Sequence, residues 1–239
     1  MKNKKLKTTL SIVCYLFLLI AICVSGALIF HSSYYELVYV SGSSMAPTLN
    51  GSDNELSGAV VDFGIVDAHK SAINHIERFD IVSTYYPDDY SSDGVLLAGA
   101  KKKIKRVIGM PGDTFTIKDG LLSVKEGEEY VSIPYKFETS FTTTKDIQDK
   151  TLGEDEYWLL GDNRANSNDC GKFNKPVTKK QITGVLVAIE GTANLKVKNY
   201  RCINCGKKYK QNGTCSSCGG SLSVQYDLVN KKYIWPKYF

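Results

Sequence analysis

Histidine is scarce: only His31, His69 and His75 occur in 239 residues. His31 abuts an apolar run and the other two lie in a mixed segment. Ordinary surface positions account for all three, and no motif offers a histidine-based proton relay. After residue 35 no stretch carries a strong amphipathic helical period, which argues against a helical bundle for the bulk of the chain. No internal repeat is present, so a repeat array is excluded too. Acidic residues nearly vanish towards the C-terminus: residues 193–239 hold nine Lys or Arg and the single acid Asp227, a net of +8 against −3 for the rest. Charge of either sign is absent from residues 9–30.

That charge-free run is 22 residues long. As a helix it extends about 33 Å at ~1.5 Å per residue, enough to cross a hydrocarbon core of ~30 Å. A cleaved secretory signal has an apolar core of only ~7–15 residues, so the run reads as an uncleaved transmembrane helix. Lys2, Lys4, Lys5 and Lys7 precede it and no lysine directly follows, which places the N-terminus in the cytoplasm and everything from about residue 31 outside. The expected organisation is a basic cytoplasmic N-terminus (1–8), a transmembrane helix (9–30), a main domain (31–191) and a basic extension (192–239).

Fifteen tyrosines, together with Val, Ile and Thr, favour strands. Strands are predicted at 37–40, 59–66, 78–86, 104–109, 157–160, 181–189 and 195–200. A hairpin is predicted for 114–117 and 121–124, turning at Asp119 and Gly120. Residues 137–153 are polar without an apolar period and read as a loop. The fold class is mainly β, with non-local strand pairing.

Three segments carry chemistry. Ser44 follows a short β-prone stretch and small residues, and it precedes Met45, Ala46, Pro47 and Thr48. Such a turn can present one hydroxyl at a strand end among backbone N–H groups. A serine hydroxyl is a weak nucleophile and needs a base and an oxyanion site. Lys105 opens the run Lys105-Arg106-Val107-Ile108-Gly109-Met110-Pro111-Gly112-Asp113. A free lysine has a pKa near ~10.4, so only roughly one in a thousand is neutral near pH 7–8. Burial among apolar residues lowers that value. Strand alternation puts Lys105 with Val107 on one face and Ile104, Arg106 and Ile108 on the other. The third segment is Gly161-Asp162-Asn163-Arg164-Ala165-Asn166-Ser167-Asn168-Asp169.

In this order, behind one apolar span, the three segments strongly resemble type I signal peptidases, membrane serine proteases that remove signal peptides from exported proteins. The resemblance covers roughly residues 10–190. It implies a signal-peptidase-like β domain over 31–191 and a Ser–Lys dyad without a catalytic cofactor. Ser44 would be the nucleophile and Lys105 the general base. Ser167 would orient the lysine, and the Ser44 N–H would be an oxyanion donor. Asp162, Asn163, Arg164 and Asp169 would shape the site. Substrates would be preproteins cut after small residues in an Ala-x-Ala pattern, lying along exposed strand edges. Two departures stand out. Asp169 is followed by Cys170 and Gly171 instead of Ser and Arg, leaving Lys172 as the nearest cation. Gly42 stands where some members carry a serine that assists the oxyanion.

Cys202-x-x-Cys205 and Cys215-x-x-Cys218 are nine residues apart, each pair followed by glycine. That spacing resembles a small zinc ribbon with four thiolates around one Zn²⁺. Two disulfides are the alternative for an extracytoplasmic segment. Cys14 and Cys23 lie in the apolar run and Cys170 has no partner by this count. Tyrosine and tryptophan interleave with the basic residues of the extension, a pattern that also suits nucleic acid. Outside the cell, anionic lipid or a wall polymer fits better, beside the lipid that holds the span. Two other functions compete with the peptidase. One is a membrane-anchored zinc-ribbon binding protein with an inactive peptidase-like domain, which intact Ser44, Lys105 and Ser167 oppose. The other is a self-cleaving repressor of the SOS type, opposed by the apolar span and by the lack of an N-terminal DNA-binding helix pair.

Overall fold

Strand-forming sequence dominates after residue 34, and the computed structural model, which describes residues 2–32, 34–51, 60–135 and 146–232, bears out the mainly β expectation. The chain falls into two units, 1–36 and 37–239. In the first, α1 covers Lys2–Ser32, and its side chains are described over 12–27 and at Ile29. Those side chains are exposed, Phe17 at 76% among them. Among the described residues no helix is long and apolar enough to cross a membrane. The predicted span 9–30 extends past the described side chains at both ends.

The strands follow in chain order: β1 (Tyr35–Tyr39), β2 (Val60–Asp67), β3 (Ile81–Thr84), β4 (Lys103–Gly109), β5 (Thr114–Lys118), β6 (Leu121–Glu126) and β7 (Glu129–Ile133). They continue with β8 (Ile147–Thr151), β9 (Glu156–Leu160), β10 (Val177–Thr178), β11 (Ile182–Cys202), β12 (Lys208–Tyr209) and β13 (Leu222–Lys232). Two short α-helices, α2 (Lys70–Asn74) and α3 (Cys170–Phe173), and three single 3-10 turns interrupt them among the described residues. The larger sheet runs β1-β2-β11-β3-β4-β9-β10, with β12 and β13 added to the far end of β11; the smaller runs β7-β6-β5-β8. One core joins them. Phe115, Ile117 and Leu122 from the small sheet meet Val107, Ile108 and Trp158 from the large one, all fully buried.

The hairpin forms as predicted, with Phe115 opposite Val124 and positive φ at Asp119 and Gly120, the backbone that a tight two-residue turn requires. Two expectations fail. Residues 147–151 are a strand, not loop, paired with β5 at the edge of the small sheet. Their polarity hid it, because an edge strand with little buried surface needs no apolar alternation. The predicted strands 181–189 and 195–200 are one continuous strand, β11, which pairs with β3 and β2 at one end and β12 and β13 at the other. The small and polar residues between them sit at bulges near Gly191 and Asn194, which bend a strand without ending it.

A second, smaller core lies under the turn that carries Ser44. Val40, Met45 and Leu49 are buried there with Ile81. Asp62 clamps the turn at both ends: its carbonyl accepts from Val40 N, its carboxylate from Asn50 N at 2.7 Å, and its N–H donates to the Asn50 carbonyl. The nucleophile candidate therefore rides on a loop fixed by burial and by hydrogen bonds at its two feet.

Candidate active site

The three sequence segments meet at one cleft of about 680 Å³, lined by residues 38–45 on one side and 101–105 on the other, with Asn166 and Asn168 at its edge. Lys105 Nζ lies 2.6 Å from Ser44 Oγ and donates a further bond to the Ile104 carbonyl at 2.9 Å. β4 brings the lysine there at the point where the strand passes from half-buried Lys103 and Ile104 into its enclosed part. Residues 105–109 are buried on both faces, which is more than strand alternation alone anticipates. Lys105 itself is 4% exposed. Burial lowers its pKa to about 8, with the Lys103 charge acting in the same direction and the carboxylates of Asp169 and Asp162 opposing. An amine so placed exchanges roles easily. Protonated, it donates to the serine oxygen; neutral, its lone pair can accept the hydroxyl proton across the same contact.

Residues 161–169 scaffold this pair. Gly161 N donates to Asp169 Oδ2 and Arg164 Nε donates to the Gly161 carbonyl, each at 2.9 Å. A methyl group on Gly161 would come within 2.4 Å of both Ser167 Oγ and the Ser44 carbonyl oxygen, so only glycine lets these two serines close on one backbone point. Asn163 N donates to the Ser44 carbonyl at 3.0 Å, and its side chain donates to the Ser43 carbonyl at 3.1 Å. Asn166 Nδ2 reaches Ser43 Oγ at 2.8 Å. Ser167 Oγ is buried and has no hydrogen-bond partner among the described residues. Arg164 is 8% exposed and stacks its guanidinium over the Tyr135 ring.

Asp169, which lacks the expected arginine, caps α3 instead: its Oδ1 accepts from Gly171 N at 3.0 Å. Lys172 does not replace that arginine; its ammonium bonds Asn168 Oδ1. Cys170 is fully buried, accepts from Leu159 N, and burial pushes its thiol up to about 12, which fits an inert packing residue. His69 pairs with Asp67 and His75 with the Ser71 carbonyl, and neither lines the cleft. The side chain of His31 lies outside the described residues.

Arg106 and Thr48 had no assigned role in the sequence reading. Arg106 is 1% exposed and grips fully buried Asp162 through two bonds of 2.9 and 2.7 Å. It also donates to the Phe79 carbonyl at 2.8 Å, while Thr48 Oγ1 donates to Asp162 Oδ2. The pair thereby ties the Ser44 turn, β4 and the 161–169 segment together. The signal was present: alternation placed Arg106 between Ile104 and Ile108, and a buried cation needs a carboxylate.

Comparisons with known proteins point to one family. The profile of the family described as "Signal peptidase, peptidase S26" matches residues 11–189. The chain belongs to the signal peptidase family. Signal peptidase I of Bacillus amyloliquefaciens is 30% identical over 170 residues, covering 69% of this chain and 80% of the relative. Signal peptidase I P of Bacillus subtilis subsp. natto is 32% identical over 163 residues, covering 63% and 74%. A solved signal peptidase I from Enterococcus faecalis V583 aligns at 27% identity and a TM-score of 0.36, over 47% of this chain and 97% of that one. The expectation of a signal peptidase, a serine endopeptidase, holds. The family match ends before the basic extension begins.

In that extension the four cysteines come together, all sulfur atoms within 4.8 Å of one another. The Cys202–Cys218 and Cys205–Cys215 separations are each 3.5 Å, and Cys215–Cys218 is 3.6 Å. A tetrahedron of Zn–S bonds of about 2.3 Å has edges near ~3.8 Å, so the donor set fits that ion. The two knuckles repeat one design. Gly206 N donates to the Cys202 carbonyl and Gly219 N to that of Cys215, with both glycines at positive φ.

Proposed function

We propose that Ser44 and Lys105 form a catalytic dyad that cleaves signal peptides from exported preproteins after small residues, in an Ala-x-Ala pattern. The observation that carries this reading is the 2.6 Å contact between the serine oxygen and a buried lysine nitrogen. Neutral Lys105 takes the Ser44 proton as the oxygen attacks the scissile carbonyl, then returns it to the leaving amine. A neutral amine has two N–H groups; the Ile104 carbonyl takes one, and Ser167 Oγ, buried and without a hydrogen-bond partner among the described residues, is the proposed acceptor of the second, which would turn the lone pair towards Ser44. The Ser44 N–H receives the developing oxyanion. Gly42 supplies no hydroxyl to that site. Asp162, Asn163, Arg164 and Asp169 hold the backbone around both serines. The test is processing of a preprotein in detergent, beside a copy whose Ala-x-Ala site carries bulky residues at both small positions. Cleavage of the first alone supports the reading; equal cleavage, or none, sinks it.

A base with a pKa of about 8 sets a pH dependence. The neutral fraction, and with it kcat/KM, should rise about tenfold per pH unit below that value and level off above it. Stability follows the same group. An unfolded lysine keeps its proton to ~10.4, so between about 8 and ~10.4 the unfolded state binds more protons and stability rises with pH. A flat rate profile from pH 6 to 9 would contradict the assignment of the base.

Residues 9–30 are proposed to anchor the protein in the cell membrane, N-terminus cytoplasmic and residues 31–191, the catalytic domain, outside. Cys202, Cys205, Cys215 and Cys218 are proposed to hold one structural Zn²⁺ that folds the extension (192–239), whose basic charge suits an anionic lipid or wall-polymer surface. The metal takes no part in peptide cleavage. Metal analysis of the full chain purified under reducing conditions should find about one zinc per protein, lost on Cys202→Ser. Absence of bound zinc sinks this part of the proposal.

A further inference from the structure

The turn that carries Ser44 leaves one hydroxyl beside the nucleophile unspent. Ser43 and Asn166 both line the cleft. Asn166 Nδ2 donates to Ser43 Oγ at 2.8 Å, which fixes that oxygen as an acceptor, while the hydroxyl's own proton has no acceptor among the described residues. The Ser43 backbone is held as firmly: its carbonyl accepts from Ala46 N and from Asn163 Nδ2, each at 3.1 Å. The Ser44 N–H, next along the chain, also donates to nothing among the described residues. Covalent geometry keeps Ser43 Oγ within about 4 Å of the Ser44 nitrogen. Two donors that close can meet one oxygen at ~2.7–3.1 Å from each. Gly42, by contrast, brings no side chain, and its φ of 79° favours glycine over the serine that would supply one.

We propose that the Ser43 hydroxyl, oriented by Asn166, is the second donor to the oxyanion, a task for which Gly42 has no side chain. The inference rests on the dyad reading above. As Ser44 Oγ bonds to the scissile carbonyl carbon, its proton passes to neutral Lys105 and the carbonyl π pair moves onto the oxygen. That oxygen then accepts from the Ser44 N–H and the Ser43 O–H. When the C=O bond re-forms and the C–N bond breaks, the proton leaves Lys105 for the departing amine and both donors are released. Asn166 touches no reacting atom and is a positioning residue. Its amide occupies one lone pair of Ser43 Oγ and so biases the hydroxyl proton away from Asn166, towards the cleft. A hydroxyl rotates about its C–O bond, so this bias matters more here than it would for a backbone N–H.

The experiment uses the full chain in neutral detergent and a preprotein with an Ala-x-Ala site. Ser43→Ala should lower kcat about 100-fold, the scale of one lost oxyanion donor, with KM within about twofold of wild type. A peptide boronate ending in Ala-x-Ala, which Ser44 captures as a tetrahedral anion, should bind more weakly by a similar factor. Binding of the uncleaved peptide, measured on Ser44→Ala with and without Ser43→Ala, should change by less than about twofold. The midpoint of the pH profile, about 8, should not move, because Lys105 keeps its surroundings. Asn166→Ala should cost about three- to tenfold in the wild type and almost nothing in Ser43→Ala, since it acts only through that hydroxyl. A Ser43→Ala kcat within about threefold of wild type overturns the proposal, as does a loss confined to KM or an unchanged boronate affinity. A shifted pH midpoint would trace the loss to Lys105 and overturns it too. Equal costs of Asn166→Ala in both backgrounds overturn the orienting role of Asn166. A wild type that cleaves beside an unaffected Ser43→Ala strikes this assignment alone, whereas a wild type that does not cleave strikes the dyad reading and this one with it.

Discussion

Ser44→Ala and Lys105→Met should each lower preprotein cleavage by at least about a thousand-fold, the combined scale of losing a nucleophile or a general base. The serine variant removes the attacking oxygen and leaves the fold alone, since only Lys105 Nζ loses a partner. The lysine variant is more informative. It keeps the length of the side chain in a site that is 4% exposed, while it removes an amine whose charged form burial disfavours. Its melting temperature should therefore hold or rise while activity disappears, the opposite of what a structural lysine would give. Arg at the same position should also be inactive, because a guanidinium cannot give up its proton near neutral pH. Loss of stability in Lys105→Met in step with activity would indicate a structural role. Residual cleavage within tenfold of wild type would remove Lys105 from the chemistry.

Breaking the Arg106–Asp162 pair is the second large effect. Both side chains are essentially inaccessible, so deleting one strands an uncompensated charge in the core. Arg106→Met or Asp162→Leu should each cost about 3–5 kcal/mol in denaturant unfolding. The double variant should recover much of that loss, because two apolar side chains no longer demand a partner. It should not recover activity: Thr48, on the turn that carries Ser44, would lose its acceptor, and the Phe79 carbonyl would lose the donor that ties it to β4. Single variants within about 1 kcal/mol of wild type would show that the pair is not desolvated as the geometry implies.

The sequence was most legible where chemistry constrains neighbours along the chain. Ser44 with its Pro47 turn, Lys105 ahead of Gly109 and Pro111, and residues 161–169 are local patterns, and so is the pair of Cys-x-x-Cys knuckles. The Asp119–Gly120 hairpin was readable for the same reason: its turn needs positive φ at two adjacent residues, and few residue pairs supply it. Strand β8 was not legible. Its residues touch little apolar surface, and pairing with β5 across some thirty positions leaves no local trace.

By itself, then, the sequence determined which groups could react, that the bulk of the chain is strand, and which cysteines lie close enough to share a metal. It could say that Lys105 needed burial to act as a base, but not that burial occurs on both faces of β4. Only the tertiary structure decided that, because the pKa of a lysine depends on what packs around it from distant strands. The same holds for Arg106, Thr48 and Asp162, whose separations of 58 and 114 residues along the chain vanish in the fold. Tertiary structure also decided that Asp169 caps α3 without an arginine, that β11 continues from the larger sheet to the cysteine cluster, and that one wall of the cleft is lined with lysine. Local pattern names the candidate reacting groups; the field and the access around them come from packing between strands far apart in sequence.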